Sequence, residues 1–456
     1  MKRKLNGYQS FLNDKLQEHT DLGFDPLWIP DFLFGFEAFL TEWSIRKGRA
    51  GIFADCGMGK SIMELVWGEN VLRYINKPVL IATPLAVSYQ FVKEGEKFGI
   101  EVERSSNGKH KKGIVVTNYE RLHYFNPDDF GGFVGDESSI LKNFDGATKA
   151  LVTEFVRKIP YRLLGTATAA PNDFQELGTS SEALGYLGYK DMLTRFFKQE
   201  TAKDYLGWGR LKYRFRGHAE HPFWRWVCSW ARSCRRPSDL GFDDDGFILP
   251  KLVEREVLVE TDYVLPGKLM LMPSTDLNEQ RAERRATIKE RCEKVAEIVS
   301  LDDTPSVSWC HLNPEGDYLE KVVPEARQVH GRMQDEEKEE LLLAFQQGQL
   351  KRLIIKPKIA CFGLNWQHCH RITMFPSHSY EQAYQAIRRC WRFGQKEEVI
   401  LDVIASPGEA GVIQNLQRKS KQVDRMFDSI VKYMNEELVI DRSVEFKEKV
   451  KVPSWL

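Results

Sequence analysis

Ala54-Asp55-Cys56-Gly57-Met58-Gly59-Lys60-Ser61 stands between a short apolar run, Gly51-Ile52-Phe53-Ala54, and a segment of helical character, Ile62-Met63-Glu64-Leu65-Val66-Trp67. Strand, glycine loop, Lys-Ser and helix form the order a phosphate cradle requires, because N–H groups at a helix start can close on phosphate oxygens only where side chains do not intrude. Gly57, Met58 and Gly59 make the loop, Lys60 has the reach for terminal phosphates, and Ser61 carries a hydroxyl of the kind that ligates Mg²⁺. The plain alternative is a Gly-rich strand-to-helix turn, which the flanking strand and the Lys-Ser pair argue against.

Further along the chain, apolar runs alternate with longer amphipathic stretches: Val79-Leu80-Ile81-Ala82, Ile114-Val115-Val116 and Tyr161-Arg162-Leu163-Leu164. Such runs read as buried parallel strands in βαβ units. After Pro250 the rhythm restarts with Ser306-Val307-Ser308-Trp309-Cys310, Leu353-Ile354-Ile355, Arg371-Ile372-Thr373-Met374-Phe375 and 399–404. Two α/β lobes with parallel sheets are therefore expected. The expected boundaries are an N-terminal segment 1–30, a first nucleotide-binding lobe 31–178, a lobe extension and linker 179–250, a second lobe 251–410 and a helical tail 411–456.

The chain has 456 residues, 42% of them hydrophobic, enough for more than one core. Lys+Arg and Asp+Glu are both 65, which excludes histone-like chains and acidic tails and leaves charged partners to local patches. The eight cysteines are scattered without a CxxC pair, so neither a disulfide framework nor a zinc ribbon is expected. His218, His221, Cys228 and Cys234 have spacing unlike the usual zinc fingers. With no apolar stretch behind Met1-Lys2-Arg3-Lys4 and no run of about 18 apolar residues, the reading is a cytoplasmic protein with no membrane partner.

Hydrolysis at a phosphate loop needs a carboxylate for the metal and a group that orients or deprotonates water. Gly132-Phe133-Val134-Gly135-Asp136-Glu137-Ser138-Ser139 supplies both: Asp136 to hold Mg²⁺ and Glu137 to activate water.

From here the chain resembles superfamily 2 helicases and translocases, most closely the Swi/Snf-type branch and its compact phage-like relatives. The motifs run in order over about residues 30 to 405. After the A-x-x-G-x-G-K-[ST] loop come Ala82-Thr83-Pro84-Leu85, similar to motif Ia, and Val116-Thr117-Asn118-Tyr119-Glu120. Asp136-Glu137-Ser138-Ser139-Ile140-Leu141-Lys142-Asn143 and Leu164-Gly165-Thr166-Ala167-Thr168 with Asn172 follow. Lys358-Ile359-Ala360-Cys361-Phe362-Gly363-Leu364-Asn365 is similar to motif V, and the stretch from Gln385 through Arg389, Arg392 and Gln395 to motif VI. Two arginines three apart on one helical face can serve one site.

The resemblance implies two RecA-like P-loop lobes, ATP and Mg²⁺ as cofactors, and ATP-dependent movement on DNA in the cytoplasm, that of a host if phage-encoded. Replication or recombination proteins are the partners it suggests. It implies catalytic roles for Lys60, Asp136, Glu137, Gln385, Arg389 and Arg392, nucleotide contact at Gly363, and nucleic-acid contact at Thr83, Pro84 and Thr117. An ATP-switched clamp with little turnover and an RNA helicase are the alternative readings. Ser139 stands at the family's D-E-x-H histidine, Glu37 at its adenine-reading glutamine and Trp391 at a common histidine.

Between Tyr205 and Pro237 seven Arg and one Lys face a single acid, Glu220, with Trp208, Trp224, Trp226 and Trp230 interleaved. Arg214, Arg216 and Trp208 are the candidates there for phosphate contact and base stacking. The same composition also suits an extension of the first lobe whose tryptophans are core.

Overall fold

The computed structural model describes residues 22–84, 87–142, 147–170, 172–203, 209–261, 263, 277–359 and 365–447. These fall into two compact units, one holding 22–84, 88–243 and 423–447, the other 87 and 244–422. Among the described residues no helix is long and apolar enough to cross a membrane.

In the first unit the apolar runs become β1 (Arg49–Ala54), β2 (Val79–Thr83), β3 (Val102–Arg104), β4 (Ile114–Asn118), β5 (Gly132–Gly135) and β6 (Tyr161–Gly165). A hairpin follows, β7 (Phe197–Lys203) with β8 (Gly209–Phe215) antiparallel, then β9 (Ala231–Cys234). Apart from the hairpin, these strands form one parallel sheet in the order β3-β4-β2-β5-β6-β1-β9. The interior strands β2, β4 and β5 are buried along their whole length, as continuous apolar runs with both sheet faces covered should be. Strand β9 pairs with β1 in register Gly51 to Ala231, so part of the stretch expected as extension and linker belongs to the sheet itself.

The aromatic cluster of this region is core. Trp224 and Trp230 are fully buried, and the half-buried Trp226 packs its ring 5.4 Å from Phe196 and 5.6 Å from Trp230. Truncating one of the two buried rings should cost roughly 3–5 kcal/mol.

In the second unit β10 (Leu252–Leu258), β11 (Ser306–Trp309), β12 (Ala326–Val329), β13 (Arg352–Ile355), β14 (Arg371–Met374) and β15 (Val399–Ala405) form a parallel sheet ordered β10-β15-β14-β11-β13-β12. Its core gathers Trp309, Trp366, Phe345, Ile372 and Leu401. A buried ionic cluster lies beside it, with Arg291 2.9 Å from Glu315 and Arg284 2.8 Å from Glu409. Each charge there has a partner, which is the condition for charged groups to survive burial.

The last described helix, Ala410–Lys447, is shared. Its start packs in the second unit, where Gln417 Nε2 donates to Glu256 Oε1 across 2.7 Å. From residue 423 it belongs to the first unit: Met426, Phe427, Ile430 and Met434 are buried, and Arg235 pairs with Asp424 and Asp428.

Candidate active site

In a parallel sheet all strands end at one edge, where loops gather functional groups. Five neighbouring strands, β4, β2, β5, β6 and β1, deliver Tyr119, Thr83, Asp136, Thr166 and the loop from Asp55 to that edge. The loop backbone is left-handed at Gly57 (φ 88°) and Gly59 (φ 67°), conformations that any other residue would strain. Gly59 also has no room for a side chain: a Cβ would fall 1.8 Å from Glu37 Oε1. The helix Lys60–Ile75 then begins, presenting unpaired N–H groups and the positive end of its dipole. Lys60 Nζ donates to the carbonyls of Ala54 (2.8 Å) and Asp55 (3.1 Å), and Ser61 is half-buried in the first turn. Met58 has a buried side chain, so it offers the loop only its backbone.

Asp136 leaves β5 with its N–H on the Ala82 carbonyl, and its Oδ2 accepts a 2.7 Å bond from the Thr83 hydroxyl. The buried Tyr119 hydroxyl donates to the Asp136 carbonyl at 2.7 Å. Burial pushes the Asp136 carboxyl up to about 6, against the lowering influence of Thr83. Glu137 follows in a left-handed conformation, φ 55°, uncommon for a residue with a side chain. Its Oε1 accepts from two hydroxyls, Ser139 at 2.8 Å and Thr166 at 2.6 Å, and Thr166 Oγ1 in turn accepts from the Thr168 N–H.

Two further carboxyls approach the loop. Glu37, 5% exposed, accepts from the Phe34 N–H at 3.0 Å, and burial raises it to about 7. Glu64, 2% exposed, lies one helical turn after Lys60; burial and then Asp136 raise its carboxyl well above the usual range. Sequence reasoning assigned no role to Glu64 or Tyr119. A lone acid inside the apolar run Ile62-Met63-Glu64-Leu65-Val66 was the available signal for the former.

The structure thus gathers Gly57, Met58, Gly59, Lys60, Ser61, Asp136 and Glu137 in the first unit. Of the positions expected at the nucleic acid, Thr83 is fully buried with its hydroxyl engaged with Asp136, and Thr117 is buried within β4. Pro84 is half-buried. On the hairpin Arg214 is exposed and pairs with Glu200 at 3.2 Å, while the exposed Arg216 donates to the Phe197 carbonyl at 2.8 Å. Trp208 lies outside the described residues.

In the second unit Gln385 sits half-buried on the helix Tyr380–Ile387. That helix stops short of Arg389 and Arg392, so the expected shared helical face is absent. Beyond Ile387 the chain runs in turns, fixed by burial of Arg388 and Cys390 and by Trp391 Nε1 donating to the Pro250 carbonyl at 2.7 Å. Arg389 and Arg392 are both half-buried on these turns. The Arg388 guanidinium stacks 5.0 Å over the Trp391 ring. Gly363 and its neighbours 360–364 lie outside the described residues, as does Asn143.

Residues 304–394 match the helicase conserved C-terminal domain. That match lies within the second unit, while the first unit bears the Gly57–Lys60 loop and the Asp136-Glu137 pair. Among solved structures the chain is similar to the Sulfolobus solfataricus SWI2/SNF2 ATPase core in complex with dsDNA. The identity is 15%, over 86% of this chain and 90% of that one, with a TM-score of 0.41. No curated protein matches the chain in sequence.

Proposed function

We propose that this protein is an ATP-dependent DNA helicase or translocase whose ATP hydrolysis is stimulated by nucleic acid. The observation that carries the proposal is the meeting of the Lys60 loop with Asp136 and Glu137 at one sheet edge, in a chain that also holds a helicase C-terminal domain.

In this reading Gly57 to Ser61 cradle the phosphates, with Lys60 exchanging its two carbonyl partners for phosphate oxygens. Ser61 and Asp136 would hold Mg²⁺, which when bound neutralises developing phosphate charge. The residues suit that ion, since Mg²⁺ asks for one or two carboxylates and keeps several waters, and the buried Glu64 oxygens at this edge have no hydrogen-bond donor. Glu137 takes the proton of the attacking water, and the Ser139 and Thr166 hydroxyls hold its carboxylate in place. Gln385, Arg389 and Arg392 from the helicase domain act on the transferring phosphoryl group, and Gly363 on nucleotide binding.

The deciding experiment is the ATP turnover rate of the full chain with single-stranded, duplex and forked DNA and with RNA. We expect stimulation by at least one DNA form. Turnover that no polymer raises would leave only a nucleotide-switched clamp, and stimulation by RNA alone would reassign the polymer.

A further inference from the structure

Both carboxyl oxygens of Glu64 are buried and neither meets a hydrogen-bond donor. Glu64 follows Ser61 by three residues and Lys60 by four, so all three share one face of the helix Lys60–Ile75. Its Oε1 fills the space beside Gly165, where a Cβ would come within 2.0 Å of it, with the Lys60 stem 4.0 Å from the same point. Gly165 is the last residue of β6, immediately before the Thr166 that bonds Glu137. Asp136, Glu137 and Glu94 are the acidic groups whose charge reaches Glu64, against one cation, Lys60.

A carboxyl kept without a donor in a packed interior is costly, and an apolar residue would fill the same place more cheaply. A partner that arrives with the substrate accounts for its presence. Lys60 is the competing candidate, but its Nζ is turned to the Ala54 and Asp55 carbonyls. The negative charge that reaches this place exceeds the one ammonium, and a divalent cation arriving with the nucleotide would balance it. Among the described residues no group of three or more His, Cys, Asp or Glu side chains is placed to enclose a metal ion.

We propose that Glu64 is an additional Mg²⁺-binding carboxyl of the nucleotide site, accepting hydrogen bonds from waters on an ion held by Ser61 and Asp136. The proposal rests on the nucleotide reading of that site. It is tested by titrating Mg²⁺ into the full chain with a fixed concentration of a fluorescent ATP analogue, for wild type, Glu64→Gln and Gly165→Ala, with circular dichroism confirming each fold. Wild type should bind the analogue more tightly as Mg²⁺ rises. Glu64→Gln should need about tenfold more Mg²⁺ for half-saturation, with binding in EDTA unchanged. Gly165→Ala, whose methyl displaces the Glu64 carboxyl, should move the same way and serves alone if Glu64→Gln does not fold.

An unchanged Mg²⁺ half-saturation in the folded variant overturns the proposal. So does weaker binding in EDTA with unaltered Mg²⁺ dependence, which would pair Glu64 with Lys60. Absence of any nucleotide binding by the wild type would instead overturn the nucleotide reading itself.

Discussion

The Ser139 hydroxyl donates to Glu137 Oε1 across 2.8 Å, so a residue standing where the D-E-x-H motif has its histidine positions the carboxylate that follows Asp136. Removing one such bond to a charged group costs about 1.5–3 kcal/mol, and Thr166 remains as a second donor to the same oxygen. Ser139→Ala should therefore lower kcat roughly tenfold while leaving the KM for ATP nearly unchanged. Steady-state kinetics check this, and an unaltered kcat would show that the bond plays no part in turnover.

Lys60→Ala and Glu137→Gln should both abolish turnover, for different reasons. The first loses a phosphate contact and should bind ATP weakly, whereas the second keeps the contact and should trap ATP uncleaved. Equilibrium binding beside single-turnover hydrolysis separates them; wild-type hydrolysis by Glu137→Gln would remove it as the base.

Arg389→Ala or Arg392→Ala should cut DNA-stimulated turnover by two or more orders of magnitude, because an arginine that meets transition-state charge acts mainly on kcat. Their side chains lie on turns and are only half-buried, so the variants should melt as the wild type does. Normal stimulated turnover in both would take them out of the reaction.

Arg214 stands on the hairpin strand β8, held by Glu200, and Arg216 follows immediately after the strand ends at Phe215. Replacing both by Ala should weaken DNA binding and lower the slope of log affinity against log salt by about one to two. Binding isotherms at several salt concentrations measure this, and unchanged affinity and slope would leave the hairpin a structural extension only.

Glu37 gives a stability prediction. Its carboxyl moves from 4.5 to about 7 on burial, so the folded chain keeps a proton that the unfolded chain releases. Stability is then undiminished below pH 4.5, falls as pH rises from 4.5 to 7, and stays lower by roughly 3 kcal/mol above that. Glu37→Gln preserves an acceptor for the Phe34 N–H and carries no charge. It should melt above the wild type at pH 8 and converge with it at pH 4.5. Equal melting temperatures at pH 8 would contradict the buried-carboxyl account.

The strands legible in the sequence, such as Val79–Thr83 and Leu353–Ile355, have neighbours on both sides and are buried along their whole length, which demands unbroken apolar runs. Of the strands not read from the sequence, β3, β9, β10 and β12 are the edge strands of the two parallel sheets and β7 and β8 form the separate hairpin, while the interior β5 is only four residues long, two of them glycine. An edge tolerates polar residues, as in Leu252-Val253-Glu254-Arg255-Glu256-Val257-Leu258, and so loses the signal. At the site the loop and the acid pair were legible because their chemistry lies in contiguous residues. Glu64 and Tyr119 were not, since their neighbours come from other strands and only the folded sheet edge brings them together. The turns carrying Arg389 and Arg392 were read as helix because spacing alone says nothing of what Trp391 and Cys390 are packed against.

The return of residues 423–447 to the first unit bears on how the chain is made. Synthesis runs from the N-terminus, and domains generally fold as they emerge. Here the sheet bearing the phosphate loop is complete by Cys234, yet its apolar surface against Met426, Phe427, Ile430 and Met434 stays uncovered while about two hundred further residues are added. Burying it closes a long loop in sequence, a slow, entropically opposed step. On the ribosome, the unit that carries the Gly57–Lys60 loop therefore waits for residues 423–434, and this interval is when the nascent protein is most open to aggregation or to a chaperone.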